Sequence, residues 1–188
     1  MARENNIRQT EEEPKEKPIV GIIMGSDSDL SVMMEALNVL QELGIPSSID
    51  IISAHRTPDT LIEYAKTAKE RGLKVIIAGA GGAAHLPGVT AAETLVPVIS
   101  IPIHGKSLDG MDALLSEVQM PPGIPVAVMA INGAKNAGLF AAHMLAIEDP
   151  NLYQRLQDYR QNMQTSVLEK NSRLQELGPK QYLQNMSK

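Results

Sequence analysis

The sequence predicts a three-layer α/β fold, a doubly wound parallel sheet with helices on both faces. Three observations carry this expectation. Short apolar, β-branched runs alternate with stretches of helical periodicity from Pro18 to Asp149. Each run is apolar along its length, as in strands buried on both faces, rather than at every second position. The interior has little aromatic bulk: one Phe, no Trp and four Tyr among 188 residues, against ten Met. Ala, Val, Ile, Leu and Met must fill it, and small residues let layers approach closely. A hydrophobic share of 43% suits a globular chain of this length, read as one domain with an added arm.

The first strand is "IVGIIM", Ile19 to Met24. "GSDSD" follows, then a helix from Leu30 to about Leu43 with Leu30, Met33, Met34, Leu37 and Leu40 as its apolar stripe. Gly44 and Pro46 end it. "SSIDIIS" is the second strand, closing on Ile52 as a buried residue. Thr57, Pro58 and Asp59 open a second helix with a capping hydroxyl, a proline at the first helical position and an acid in the first turn. It runs to about Arg71 and stops at Gly72. "KVIIAGA" is the third strand, followed by "GGAAHLPG" and a short helix near Val89 to Thr94. "VPVISIPI" is the fourth, its ladder confined by Pro97 and Pro102 to a few residues. "HGKSLDG" leads to a helix near Met111 to Val118. "GIPVAVMAI" is the fifth strand, and a helix near Asn136 to Ala146 follows. Right-handed crossovers turn this alternation into a flavodoxin-like or Rossmann-like sandwich.

After Pro150 the chain becomes polar with a thin apolar stripe: Leu152, Leu156, Met163, Val167, Leu168 and Leu174. Two readings stand: a solvated terminal helix, or an arm packed on a neighbouring subunit. Residues 1 to 17, "MARENNIRQTEEEPKEK", are polar and mixed in charge, and read as a flexible tail. They lack the apolar core of a signal peptide. No apolar run approaches the roughly 20 residues that span a membrane, so a cytoplasmic protein with no membrane partner is expected. The net charge of −5 and the scarcity of aromatics argue against a nucleic-acid partner. With no cysteine, disulfides, thiolate nucleophiles and Cys-based metal sites are excluded. No two histidines lie at metal-ligand spacing, and no metal site is expected.

Open parallel sheets bind ligands beyond the carboxyl ends of their strands. The loops there are "GSDSD", "SAHRTP", "GAGGAAHLPG" and "HGKSLDG", and they carry three of the four histidines: His55, His85 and His104. Ser26 and Ser28, at a helix start, suit a phosphate, and Asp29 can accept from a sugar hydroxyl. The same loop also reads as plain capping by Ser28 or Asp29. Arg56 offers a two-pronged fork for an anion, and His55 titrates near neutrality when unperturbed. Equally, Arg56 reads as a surface ion pair and His55 as a loop residue. The glycines of "GAGGAAHLPG" allow close backbone approach to a ligand, or simply a tight turn. The loop matches the dinucleotide fingerprint only loosely and follows the third strand, not the first. No nucleophile elbow or P-loop is present. His143, in an Ala-rich helix, reads as packed rather than reactive.

Taken together and in this order, "MGSDSD", "SAHRTPD" and "AGAGGAAHLPG" resemble the PurE family of purine biosynthesis. "SEVQMPPGIPVA" and "KNAGLFAAHMLA" extend the resemblance, which covers roughly Ile19 to Asp149. It implies a flavodoxin-like fold, no metal or organic cofactor, a ribonucleotide substrate, and a homo-octamer with sites built from several subunits. The implied reaction moves a carboxylate from the exocyclic nitrogen of 5-(carboxyamino)imidazole ribonucleotide to the adjacent ring carbon. A second form of the family carboxylates 5-aminoimidazole ribonucleotide directly with carbon dioxide. That form tends to carry Lys after the His and a polar "GRSN"-like loop. Arg56 and "GAGGAAHLPG" point to the mutase form. "IPIHGKSLDG" departs from it, since Gln often stands at the position of His104. A non-catalytic nucleotide- or flavin-binding module is the alternative from a different class.

Residue by residue, the resemblance implies that Arg56 and the Ser26–Ser28 loop hold the phosphate and Asp29 the ribose. Ser53 and Ala54 would flank the site, with Gly81, Gly82 and His85 near the imidazole and carboxylate. His55 would transfer the proton. Ala80, Ala83, Ala84 and Leu86 would form a closed apolar pocket that retains carbon dioxide. Residues 150–188 would pack on neighbouring subunits.

Overall fold

A computed structural model describes residues 17–186. The expected tail, all but its last residue, therefore lies outside the described residues. Five parallel strands form one sheet: β1 (Val20–Met24), β2 (Ser47–Ile51), β3 (Val75–Gly81), β4 (Val98–Ile103) and β5 (Ala127–Val128). Their order across the sheet is β2-β1-β3-β4-β5. This is the flavodoxin-like doubly wound order, with its switch point between β1 and β3.

Each strand is followed by a helix: α1 (Leu30–Glu42), α2 (Pro58–Thr67), α3 (Leu86–Glu93), α4 (Met111–Val118) and α5 (Ala134–Leu145). Alternate strand residues point to opposite faces. Ile22, Met24, Ile77, Ile99 and Ile101 pack under α1 and α5, while Ile23, Ile76, Ala78 and Val98 pack under α2, α3 and α4. The small-residue composition has a structural use here. A Cβ on Gly138 of α5 would stand 2.5 Å from Val39 Cγ1 and 3.0 Å from the Ala36 carbonyl oxygen of α1. Only a glycine allows these two helices to lie so close.

The structure corrects several expectations. The stripe of α1 is rotated: Met33, Ala36, Val39 and Leu40 are buried, while Leu30 is exposed. β2 is an edge strand with one neighbour, so it is only half-buried, and Ile51 is exposed. Ile52 is buried but lies just past the strand, its N–H donating to the Met24 carbonyl at 2.8 Å. α2 ends at Thr67, and turns carry the chain to Gly72. α3 starts three residues early, because Pro87 supplies the fixed φ of a first turn rather than belonging to the loop. β4 runs through Pro102, which stays in register with Ala80. β5 is two residues long, with Pro125 unable to donate to a ladder on its approach. His143 is exposed on α5, not packed. Its Nδ1 donates to the Leu139 carbonyl at 2.6 Å, and Arg160 Nη2 reaches Nε2 at 3.1 Å.

The last element, α6 (Pro150–Met186), breaks at Gly178, where φ is +72°. Asp149 caps its start through the N–H groups of Asn151 and Leu152. Leu152 and Leu156 are buried against the domain, and Arg155 Nε donates to the Leu43 carbonyl at 2.9 Å. Met163, Val167 and Leu168 are exposed on the same helix. No helix among the described residues is long and apolar enough to cross a membrane.

Candidate active site

A pocket of about 540 Å³ opens at the carboxyl edge of the sheet, where the loops after β1, β2, β3 and β4 meet. A second depression, about 650 Å³, lies at the opposite edge between residues 91–98 and 123–127. Among the described residues lining it Glu93 alone is ionisable, so it offers little for catalysis. The first pocket is lined by Asp29, His55, Arg56, His85 and His104.

The β1 loop is a single 3₁₀ turn, Asp27–Asp29, leading directly into α1. Ser26 caps it: its backbone is extended and its Oγ accepts the Ser28 N–H at 3.3 Å. Capping thus falls to Ser26, not to Ser28 or Asp29, and Asp29 makes no side-chain cap bond. Its carboxylate instead accepts from Ser28 Oγ at 3.0 Å. Burial pushes the Asp29 carboxyl above its ordinary range, against the Ser28 hydrogen bond; Asp27 adds to the rise and Arg56 opposes it. A carboxylate partly stripped of water is suited to a neutral polar partner such as a sugar hydroxyl.

The β2 loop is held from within. Ser53 N–H donates to Thr57 Oγ1 at 3.0 Å, and Thr57 Oγ1 donates back to the Ser53 carbonyl at 3.1 Å. Thr57 therefore closes the loop instead of capping α2, which has no side-chain cap. Arg56 sends both its N–H and its Nε to Ser53 Oγ, each at 3.2 Å, and its Nη2 to the Gly25 carbonyl. The guanidinium thus spans the β1 and β2 loops and sits beside Ser26 in one wall of the pocket.

The β3 loop reverses sharply. Gly82 takes φ +63°, and Ala84, which carries a Cβ, takes φ +29°. Such a backbone persists only where surrounding structure enforces it. It delivers His85 to the start of α3. His55 Nε2 and His85 Nδ1 then lie 2.7 Å apart, with the rings nearly perpendicular at 83°. Two ring nitrogens at that separation share one proton: one donates and the other accepts. An imidazole pair with a proton between its rings is a ready acid and base.

All eleven residues expected at the site line this one pocket: Ser26, Ser28, Asp29, Ser53, Ala54, His55, Arg56, Gly81, Gly82, His85 and Leu86. Ala80 and Ala84 join them; Ala83 does not, and is exposed. Within a single chain the pocket is open, since His55, Arg56 and His85 are all exposed. The sequence places the loops of Gly25 and Gly105 here, but not the role of the Gly25 carbonyl, which holds Arg56, nor the β4 residue Ile103. Ile103 ends an apolar run at the carboxyl edge, a signal that was available. A backbone carbonyl leaves none. No group of three or more His, Cys, Asp or Glu among the described residues is placed to hold a metal ion.

Comparison with known proteins fits this geometry. The chain is 59% identical over 168 residues to the N5-carboxyaminoimidazole ribonucleotide mutase of Pyrococcus horikoshii, covering 89% of this chain and 95% of that one. It is 54% identical over 170 residues to the phosphoribosylaminoimidazole carboxylase of Schizosaccharomyces pombe, covering 90% of this chain but 31% of that longer protein. The crystal structure of Treponema denticola PurE superposes with a TM-score of 0.76 at 29% identity, over 84% of this chain and 98% of that one. The family model for AIR carboxylase matches residues 19–166, a span that takes in every strand of the sheet and all four pocket loops, and the chain belongs to that family.

Proposed function

We propose that the protein converts 5-(carboxyamino)imidazole ribonucleotide to 4-carboxy-5-aminoimidazole ribonucleotide, the mutase step of purine biosynthesis. The observation that carries this is the near end-to-end match to the Pyrococcus horikoshii mutase. The pocket is chemically suited to the reaction.

Ser26, Ser28 and Arg56 hold the phosphate, at the amino end of α1 where unpaired N–H groups favour an anion. Asp29 accepts from the ribose, and Ser53 and Ala54 flank it. The base then lies towards Gly81, Gly82, His85 and Leu86. His55 donates its proton to the exocyclic nitrogen. The nitrogen–carboxylate bond breaks, its electron pair stays on nitrogen, and carbon dioxide is released. The electron-rich ring carbon attacks the carbon dioxide and forms the new carbon–carbon bond. That carbon still bears a hydrogen, and His55 takes it back as a proton to restore aromaticity. The proton count closes, so one group serves as acid and then as base. His85, in contact with the His55 ring, steadies it and shares its proton. Ala80, Ala84 and Leu86 give the carbon dioxide an apolar wall. No metal or organic cofactor takes part in this scheme.

The site is completed by neighbouring copies. Leu95 and Ile147 stand almost fully exposed, and Met163, Val167 and Leu168 line the free part of α6. Those surfaces suit a homo-octamer in which residues 18–149 form the catalytic domain and residues 150–188 are an arm on neighbouring subunits. A mass eight times that of the chain in equilibrium sedimentation is expected; a monomer would overturn the assembly. A cytoplasmic location accords with the expected pathway.

The Schizosaccharomyces pombe relative favours a second reading, direct carboxylation of 5-aminoimidazole ribonucleotide by carbon dioxide. Purified protein supplied with the carboxyamino compound in bicarbonate-depleted buffer separates the two. Conversion supports the mutase, and an absolute need for bicarbonate supports the carboxylase.

A further inference from the structure

We propose that His104 is a substrate-binding residue that holds the base end of the nucleotide, opposite the phosphate clamp; this rests on the mutase reading above. The observation behind it is where the backbone is strained. Among the described residues, three that are not glycine adopt positive φ: Ala84, Asp109 and Asn132. Ala84 precedes His85. The other two are both partners of His104. Asn132, at φ +56°, accepts the His104 backbone N–H on its Oδ1 at 2.9 Å. Asp109, at φ +52°, places Oδ1 3.3 Å from His104 Nε2. Gly110 follows at φ +87°, and a Cβ there would stand 2.7 Å from Ile131 Cγ2 and 3.3 Å from the His104 Cα. Left-handed backbone on residues that carry side chains costs of order 1–3 kcal/mol each and persists where surrounding structure enforces it, often at ligand sites. Here two separate loops, one after β4 and one after β5, meet that cost and both hold His104, Asp109 at its ring and Asn132 at its backbone N–H.

Its position says what it would hold. The loops after β2, β1, β3 and β4 stand in that order along the sheet edge. With strands about 4.8 Å apart, β2 and β4 are roughly 14 Å from each other. Arg56 is at the β2 end and His104 at the β4 end, and both line the same pocket. A mononucleotide with its phosphate at Arg56 and Ser26 extends its base towards β3 and β4. Asp109 fixes the ring through Nε2, leaving the rest of the imidazole to the ligand.

The test compares His104→Ala and His104→Gln with the unmodified chain. It reads kcat and KM for the carboxyamino nucleotide and the inhibition constant of ribose 5-phosphate, which lacks the base. His104→Ala should raise KM about tenfold, the value of one hydrogen bond to a charged or strongly polar group. Its kcat should stay within about twofold, as expected when uniform binding is lost. Ribose 5-phosphate should bind as before, and His104→Gln, which keeps a donor and an acceptor, should restore most of the KM. An unchanged KM in His104→Ala overturns the proposal, as does a parallel weakening of ribose 5-phosphate, which signals a general loss of shape. A fall in kcat at constant KM also overturns it. Those results leave the mutase reading standing. Absence of turnover by the unmodified chain overturns both.

Discussion

Glu117 offers the sharpest quantitative test of how the core is built. It lies on α4, 2% exposed, against β4. Ser100 Oγ donates to its Oε2 at 2.8 Å, and Oε1 has no partner. Burial is the dominant influence and pushes its pKa up from 4.5 to about 8, against the Ser100 hydrogen bond. In the folded protein the group therefore stays protonated to near pH 8, while in the unfolded chain it ionises above about pH 4.5. Between those values folding takes up a proton, so stability present below pH 4.5 is lost as pH rises to 8. Each pH unit between the two midpoints is about 1.4 kcal/mol, so Glu117 should cost the fold a few kcal/mol between pH 5 and pH 8. Glu117→Gln removes the titration but leaves a polar group in the same place, which alters stability by an amount independent of pH. The assay is urea unfolding at fixed protein concentration from pH 5 to 8.5, comparing the two chains. The unmodified chain should fall steadily relative to the variant. Parallel pH profiles would refute the reasoning and mean that water reaches Oε1.

Other predictions follow from the site and the helix packing. His55→Asn should fold and bind the nucleotide but lose turnover by at least about a hundredfold, the usual scale of a general acid–base residue; stopped turnover with intact binding by calorimetry is the readout. Arg56→Lys should raise KM by roughly ten- to a hundredfold, because an ammonium cannot reach Ser53, Gly25 and a phosphate at once. Gly138→Ala should destabilise the chain by about 1–3 kcal/mol, since its Cβ meets backbone in α1 as well as a side chain, measurable as a lower urea midpoint.

Much of this site could be read from the chain because four of its loops follow apolar runs, and a parallel sheet gathers such loops at one edge. The order of the strands could not be read from periodicity, which left flavodoxin-like and Rossmann-like sandwiches open until the family resemblance implied the former. His55 and His85 are 30 residues apart, and their 2.7 Å contact exists because β2 and β3 flank β1, so that the loops leaving them converge over its carboxyl end. That same order makes β2 an edge, which accords with the polar Ser47, Ser48 and Asp50 in it. The rotated face of α1 has a similar origin. Ala36 and Val39 are buried by the close approach of Gly138, a tertiary effect that outweighs the larger Leu30 and Met34. Thr57 shows the limit of reading caps from residue type. Its hydroxyl had two uses, and the need to close the Ser53 loop took precedence over the helix end.

In the mutase reaction one carboxylate moves within one nucleotide. The direct measurement supplies the carboxyamino nucleotide with an isotope label in its carboxylate, in excess unlabelled bicarbonate, and follows the label into product. Retention of the label in the 4-carboxy product is expected, since the carbon dioxide released beside His55 is recaptured before it exchanges with solvent. Product carrying only unlabelled carboxylate would contradict the account and make the protein a direct carboxylase.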